Sequence, residues 1–362
     1  MQPLLLPGVD CFQVVFTIPE ELSSLALGNR RPIFNLLFHA AWQSLKKVVE
    51  NEQQFEPAAA MVLHTWNQHL ESHVHVHAVV PGGGPSIVKP GTRSATVMAS
   101  ASGTPSAPRI WKIATPPPHQ RPDRWWLVDA DELRREFRTN FLSGLRRLHQ
   151  GGELKLEGTW SPLQNSECFE EFLAPLEAKS WVTYIEPPPA ASSPEDVVKY
   201  LARYLTGGPI SDRRLVRFDG SHVTFTARKG TTHGGSKETE EVTVSAVEFV
   251  RRWSLHVLPS GFTKSRRFGG WSSQHRQRYL KECRELLAAH DTRNFRDSEA
   301  GESDPIPDST PAAEVDAMPQ LRPCPVCGHE LERLERIHRT SWRDIFMSHA
   351  RPAWYRSREP CG

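Results

Sequence analysis

A run of alternating histidine and valine, from His73 to His77, most constrains how this chain can fold. Successive side chains of a β-strand point to opposite faces of its sheet, so His73, His75 and His77 share one face. Val74 and Val76 then project from the other face. The run therefore predicts a strand with one polar and one apolar face, which brings two or three imidazoles together.

Imidazoles at this spacing are typical metal ligands. A His-hydrophobic-His pair on one strand can bind a divalent cation and leave coordination positions open for phosphate oxygens. Gln68 and His64 lie just upstream and are both candidates for a third ligand. The alternative interpretation is a polar sheet face without a metal, with Gln68 and His64 as ordinary surface residues.

The chain of 362 residues, with 38% hydrophobic and 24% charged residues, can form two domains or one large domain with appendages. No stretch approaches the ~18 apolar residues of a membrane span, and no basic segment precedes Leu4. We therefore expect a cytoplasmic protein that is neither inserted into a membrane nor exported. Six scattered cysteines do not form a disulfide scaffold.

Periodicity and turn residues predict the order of elements. The predicted strands are Val14–Ile18, Ala59–Trp66, Val74–Val80, Trp181–Ile185, and a hairpin of Leu215–Phe218 and His222–Thr226. The predicted helices are Ile33–Val49, Asp129 to about His149, Pro194–Leu205, Val247–Val257 and His275–Ala289. Pro81 to Gly84 should end the histidine strand sharply. Residues 81–124, rich in Gly, Ser, Thr and Pro, should form a loop-rich excursion.

Two of the five tyrosines, Tyr200 and Tyr204, lie four residues apart on a predicted helix and hence on one face of it. A phenol, with a pKa of about 10, attacks phosphorus only with help from a metal, a cation or a base. The alternative is a pair of aromatic residues packing on a core. Nearby basic residues can contact phosphate or simply solvate the surface: Lys199, Arg203, Arg213 and Arg214.

Charge is segregated along the chain although the net charge is only +2. Residues 291–322 carry eight acidic and three basic residues, and this segment has the composition of a disordered linker. Residues 194–284 carry 17 basic and 9 acidic residues, which suits a polyanionic partner or an ordinary solvated surface.

Cys324-Pro325-Val326-Cys327 forms a knuckle that can present two thiolates to one zinc ion. A tetrahedral zinc site needs four ligands, and only one such pair is present. A pair of free thiols is the alternative. Candidates for the remaining ligands are His329, His338, His349 and Cys361.

Taken together and in order, these stretches resemble the two-tyrosine HUH class of rolling-circle insertion-sequence transposases, the ninety-one-type group. The matching blocks are Phe12–Leu22, Leu63–Gln68, His73–Gly84, Lys199–Tyr204, Ile210–Leu215, Glu248–Trp253, His256–Phe262 and Cys283–Leu287, together with the knuckle at Cys324. One of these motifs alone is weak evidence, whereas the ordered set is specific.

The resemblance implies a fold and a site. The fold would be an α+β, HUH/Rep-like domain in which helices flank a central antiparallel sheet that carries the histidines. His75 and His77, with Gln68, would bind Mg²⁺ or Mn²⁺, while Tyr200 and Tyr204 would be the nucleophiles. Residues 1–290 would form this catalytic domain, 291–322 the disordered linker, and 323–362 a small tail with the cysteine knuckle and possible Zn²⁺.

The resemblance also implies an activity. One tyrosine would attack single-stranded DNA at the element ends, giving a 5′-phosphotyrosine and a free 3′-OH, without ATP or another nucleotide cofactor. The enzyme would work in the cytoplasm, associated with the nucleoid. The family's usual N-terminal zinc-binding region is not expected here, since the chain starts at the first core strand.

Three alternatives remain open at this point. A replication initiator or relaxase uses the same chemistry. An inactive remnant of a transposase would bind DNA without forming covalent adducts. A metal-dependent hydrolase would use water on the His75 and His77 centre and leave no bond between protein and DNA.

Overall fold

The computed structural model describes residues 4–87, 109–117, 126–186, 207–229 and 238–299, with side chains up to residue 290. These residues belong to one compact unit, Met1–Gly301. The predictions for Lys199, Tyr200, Arg203, Tyr204, Cys324 and Cys327 lie outside the described residues. The domain boundaries and the C-terminal zinc knuckle therefore stay predictions.

Ten strands and six α-helices occur in the described residues. The strands are β1 Cys11–Thr17, β2 Ala58–Trp66, β3 Ser72–Pro81, β4 Gly83–Pro85, β5 Trp111–Ile113, β6 Val182–Glu186, β7 Leu215–Phe218, β8 His222–Arg228, β9 Thr239–Ser245 and β10 Ser265–Gly269. The helices are α1 Ser23–Gly28, α2 Arg30–Glu52, α3 Ala130–Gln150, α4 Ser166–Ala178, α5 Ala246–Ser254 and α6 Arg276–Glu299. This mixture of helices and antiparallel strands confirms the α+β class.

Five strands form the central antiparallel sheet, in the order β10-β2-β3-β1-β6. The apolar side of β3, with Val74 and Val76, is fully buried in the main core. Helices α2 and α3 pack on this side, where Phe16 of β1 meets Phe137 of α3 at a centroid distance of 5.0 Å. The predicted alternation of the histidine strand is therefore confirmed: the apolar face of β3 packs against the helices.

Helix α3 begins and ends where its sequence predicts. The Asp129 carboxylate accepts a hydrogen bond from the Glu132 amide at 2.8 Å, which satisfies one of the free amides of the first turn. Gly151 and Gly152 follow the last turn, and Gly152 has φ +66°. A side-chain cap of this kind stabilises a helix by about 1 kcal/mol.

Pro81 to Gly84 end the histidine strand as predicted, since β3 ends at Pro81, but the strand that follows was not predicted. After one residue the chain continues as β4, which pairs with β5 in a separate two-stranded sheet. The glycines are needed because backbone passes very close: a Cβ on Gly84 would lie 2.7 Å from the Glu56 carbonyl oxygen. The loop-rich excursion therefore contains ordered pairing at both described ends.

Helix α6 is longer than predicted. It runs to Glu299, past Asp291, where the acidic linker was expected to begin. High acidic content alone did not distinguish a helix end from a linker, because acidic residues are common in both.

A smaller sheet, β7-β8-β9, carries α5 on one face. The predicted hairpin between β7 and β8 is confirmed, and Gly220 in its turn has φ +94°. Phe225 of β8 and Phe249 of α5 meet at 5.9 Å. In the part of the chain that the structure describes, no helix combines the length and apolarity that a bilayer crossing requires.

Gly269, the last residue of β10, allows a test of how tightly this edge strand is held. It has φ +58°, and a Cβ there would lie 2.2 Å from the Pro57 carbonyl oxygen. We expect Gly269→Ala to lower the free energy of unfolding by roughly 2–5 kcal/mol, through left-handed backbone strain and overpacking together. Urea unfolding measures this change.

Gly152→Ala is the matched control. Its φ is also positive, but a Cβ there would meet no atom within 4 Å. This variant should lower the free energy of unfolding only by the backbone strain, about 1–2 kcal/mol. Equal losses in the two variants would contradict the close packing of Gly269.

Candidate metal centre

The pairing of β2 with β3 brings three histidines together on the face of the sheet opposite α2 and α3. In this register His64 lies directly across from His75, and His77 lies across from Val62. Directly opposed residues of an antiparallel pair share a face. Each of His64, His75 and His77 offers one ring nitrogen, and these nitrogens all lie within 4.8 Å of one another. The three histidines could hold a metal ion.

The spacing of two of these nitrogens fits a common metal ion. His75 Nε2 and His77 Nε2 are 3.1 Å apart. Two imidazole nitrogens bound to one ion at about 2.1 Å are roughly 3.0–3.4 Å apart for octahedral to tetrahedral angles. Thr17 of β1 lies directly across from His75 of β3, and its buried hydroxyl oxygen has no hydrogen-bond partner among the described residues. A polar group is thus available beside the centre.

His75 is held in the form that a metal ligand needs. Its Nδ1 donates to the backbone oxygen of His73 at 2.9 Å, so Nε2 carries the lone pair that faces His77. Burial lowers the pKa of His75 well below its usual range, and repulsion from His77, His64 and His73 lowers it further. His75 is therefore neutral at neutral pH, and a cation can bind without displacing a proton from Nε2.

His77 is oriented by Gln13 of β1. The Gln13 Nε2 group donates to His77 Nδ1 at 2.7 Å. An ion on Nε2 of His77 would require the proton to sit on Nδ1, and the Gln13 amide would then present its oxygen instead. Since an amide side chain can offer either group after a flip, Gln13 can support both forms of His77.

His64 packs against Trp66 on one side and against His75 and His77 on the other. Its ring stacks on Trp66 at a centroid distance of 4.6 Å and an interplanar angle of 18°. Lys264 Nζ lies 4.9 Å from the Trp66 ring centroid, in a cation–π contact. These contacts restrict rotation of the His64 ring and keep it toward His75 and His77.

His256 fastens the turn that follows β2. Its Nε2 donates to the Leu70 backbone oxygen at 3.1 Å, and its Nδ1 lies 3.2 Å from the Thr65 hydroxyl. Burial lowers the pKa of His256, the bond to Leu70 raises it, and the charge of Arg30 lowers it. His256 is thus a neutral, buried connection near the centre rather than a member of it.

The other predicted site residues in the described part of the chain lie nearby. Gln68, a predicted ligand, is exposed in the turn between β2 and β3, and its backbone oxygen accepts a hydrogen bond from Arg214. Arg214 also donates to the carbonyls of Thr226 and Pro209. Arg213 is exposed. The ligand role of Gln68 and the DNA contacts of Arg213 and Arg214 stay predictions.

The described residues thus form an α+β fold with a candidate metal centre, His64, His75 and His77, on an antiparallel sheet. Residues 59–98 and 119–278 match the model of a family described as "Putative transposase". A relative from Sinorhizobium fredii, named "Putative transposase y4qJ", is 34% identical over 325 residues, which cover 87% of this chain and 70% of the relative. No solved structure matches. The chain belongs to this transposase family.

Replacement of His64 tests the three-histidine centre. We expect His64→Ala to weaken Mn²⁺ binding by more than about 100-fold, because loss of a direct ligand should exceed the 10–100-fold effect of supporting residues. Titration calorimetry with Mn²⁺ measures this change. His73→Ala, on the same strand face but outside the cluster, is the control. A larger loss in His73→Ala than in His64→Ala would contradict the assignment.

The buried His256 predicts a dependence of stability on pH. Unfolded histidine takes up a proton near pH 6.5, whereas the lowered pKa keeps His256 neutral in the folded chain to lower pH. Stability should therefore be lost as pH falls below about 6.5, by up to about 1.4 kcal/mol per pH unit for this group. Urea unfolding at several pH values should show a shallower dependence for His256→Gln than for the wild type.

The exposed His39 of α2 provides the comparison. His39→Gln removes one imidazole without touching a buried contact. An equal change of pH dependence in both variants would contradict the assignment to His256.

Proposed function

We propose that this chain is a DNA transposase of the two-tyrosine HUH class, which nicks and joins single-stranded DNA by metal-assisted transesterification. The observation that carries the proposal is the three-histidine cluster on an antiparallel sheet, in a chain that belongs to a transposase family. Two of the three histidines form the His-Val-His motif of β3. A DNA-cleaving activity follows from the family, and the tyrosine mechanism is our proposal.

His64, His75 and His77 would hold the divalent cation, with Gln68 as the earlier candidate for a further ligand. Of the two proposed ions, imidazole donors favour Mn²⁺, because Mg²⁺ prefers oxygen ligands and retains its water. The bound cation would polarise the scissile phosphate and offset its charge. The low pKa of His75 leaves that ligand unprotonated at neutral pH, which suits this role.

In the proposed reaction, the phenol oxygen of Tyr200 or Tyr204 forms a bond to the scissile phosphorus. The bond from phosphorus to the 3′ oxygen breaks, so the DNA carries a 5′-phosphotyrosine and a free 3′-OH. The phosphotyrosine conserves a phosphodiester-like bond, which a 3′-OH can attack to join ends without ATP. The second tyrosine allows another cleavage while the first end stays attached.

The described residue that follows segment 187–206 lies close to the candidate metal centre. The Gly207 backbone oxygen accepts a hydrogen bond from Lys264 Nζ at 2.7 Å. Lys264 Nζ lies 4.9 Å from the ring centroid of Trp66, which stacks on His64. This proximity supports the proposal that Tyr200 and Tyr204 act at the histidines.

DNA is the proposed partner, and the strand at the element ends is the proposed substrate. Lys199, Arg203 and Arg213 are proposed phosphate contacts, whereas the guanidinium of Arg214 already donates to three carbonyls. We also keep the cytoplasmic, nucleoid-associated location as a proposal.

Covalent capture of DNA tests the mechanism. Purified protein is incubated with Mn²⁺ and 3′-end-labelled single-stranded DNA that carries element ends, and products are separated under denaturing conditions. We expect labelled DNA to migrate with the protein, because the 5′ phosphate of the downstream fragment is bound to tyrosine. The adduct should disappear in the Tyr200→Phe and Tyr204→Phe double variant and in His75→Ala.

Tyr184→Phe is the matched control. Tyr184 lies across from Val15, which lies across from His77, so this phenol is on the histidine face as well. The adduct should persist in this variant. Cleavage without an adduct would instead indicate a metal-dependent hydrolase, and DNA binding without cleavage would indicate an inactive remnant. A replication initiator would form the adduct but fail to join transposon ends.

A further inference from the structure

Five basic side chains gather where α2 begins and β10 starts. We name this group the β10 basic surface, and its members are Arg30, Arg31, Lys264, Arg266 and Arg267. The loop before β10 joins the two parts. Arg30 Nη1 donates to the Val257 backbone oxygen at 2.6 Å, and Arg31 Nη2 donates to the Ser260 backbone oxygen at 2.8 Å.

The positive charges of this surface are not neutralised by carboxylates. Across the described ranges, none of the five forms an ion pair within 4.0 Å. Lys264 and Arg266 donate to uncharged oxygens instead, those of Gly207 and Asn35, at 2.7 and 2.6 Å. Such acceptors orient a cation but leave its charge in place. Burial lowers the pKa of both groups, and no anion offsets it.

The arginines of α3 show the contrast. Arg134, Arg135 and Arg146 are each paired with a carboxylate of α3 or α4. The charges of these three arginines are thus balanced within the protein. No described carboxylate pairs with the β10 basic surface, so its charge can attract an anionic ligand. The Arg266 guanidinium lies over the rings of Phe38 and Phe262, with centroid distances of 4.4 and 4.9 Å.

The β10 basic surface begins at the candidate metal centre. Lys264 contacts Trp66, which stacks on His64. Strand β10 pairs with β2, and its Arg267 lies across from Ala60, on the histidine face. Arg266 lies across from Met61, on the α2 side, where it contacts Asn35 and Phe38. Neighbouring strands are only about 4.8 Å apart, so the cations extend from the centre around the β10 edge of the sheet to the start of α2.

We propose that the β10 basic surface binds the phosphodiester backbone of the single-stranded DNA that leaves the metal centre, an inference that rests on the proposed function. Guanidinium groups bind phosphate through two parallel hydrogen bonds, and their charge draws DNA from solution. The occupant is a single strand because His64 and His75 are only 7% and 8% exposed. A phosphate reaches so enclosed a centre more readily on one strand than on a duplex.

The test measures DNA binding as a function of salt. We expect the double variant Arg31→Gln and Arg267→Gln to bind a labelled single-stranded oligonucleotide roughly tenfold more weakly at low salt. The slope of log affinity against log salt concentration should fall by about 0.7 for each lost contact, hence by about 1.4 in total. Fluorescence anisotropy over a range of NaCl concentrations gives both values.

Arg147→Gln is the matched control, since Arg147 is an exposed arginine of α3 outside the β10 basic surface. It should keep the wild-type slope. The single variant Arg267→Gln should fold like the wild type, because the Arg267 side chain makes no hydrogen bond or ion pair with the described residues. It therefore separates loss of DNA binding from loss of folding. Thermal melting of each variant checks that it is folded.

Wild-type affinity and slope in the folded double variant would overturn the proposal. A loss confined to duplex DNA would overturn it too, because the occupant would then be the double-stranded flank. The proposed tyrosine mechanism is tested separately from this surface. If the wild type bound single strands through this surface but formed no adduct with Mn²⁺, the tyrosine mechanism would fail while the surface stood.

Discussion

The register between β2 and β3 is the constraint on which the candidate centre depends. A shift by one residue would turn His75 and His77 toward the helices and expose the valines between them. The turn fixes this register: the Asn67 carboxamide oxygen accepts hydrogen bonds from the amides of His69 and Glu71, at 2.8 and 2.9 Å. Leu70 has φ +60°, so the turn also holds a strained residue in place.

The same turn is held from outside by side chains that donate to its carbonyls. Arg214 donates to the Gln68 oxygen and Arg252 to the His69 oxygen at 3.1 Å. His256 donates to the Leu70 oxygen. These residues come from the short 3-10 helix Asp212–Arg214 before β7, from α5 and from the loop that follows α5. Segments distant in sequence thus fix a short turn, and through it the three imidazoles.

Much of this fold could be predicted because its signals are local. The cap at Asp129 and the alternation of the histidine strand act over a few residues, and both are seen as predicted. The place of His64 required one further step. Counting outward from the Trp66–Ser72 pair would place His64 across from Val74, but the register shifts by one residue between His64 and Trp66, and this shift places His64 across from His75. Gln68 lies within the turn itself. Sequence proximity favoured both residues equally, whereas register separates them.

The missed features depend on contacts that local patterns do not contain. The short strand β4 contains Gly83 and Gly84, part of a glycine run that normally marks a loop, and only the close approach of Glu56 and Lys112 explains why glycine is required there. In the same way, Arg214 is a basic residue in a basic region, and its sequence suggests phosphate contacts. Its three carbonyl acceptors come from chain segments that no periodicity connects.

A recurring arrangement connects stability with the proposed chemistry. Arg30, Arg31, Arg214 and Lys264 all stabilise loops by donating to carbonyl oxygens. A carboxylate in each place would hold the loop as well, but it would also cancel the positive charge. Carbonyl acceptors keep the region positive while they order it, which favours phosphate at the histidine centre. Because such attraction is screened over about 8 Å at physiological salt, it acts on DNA already close to the sheet.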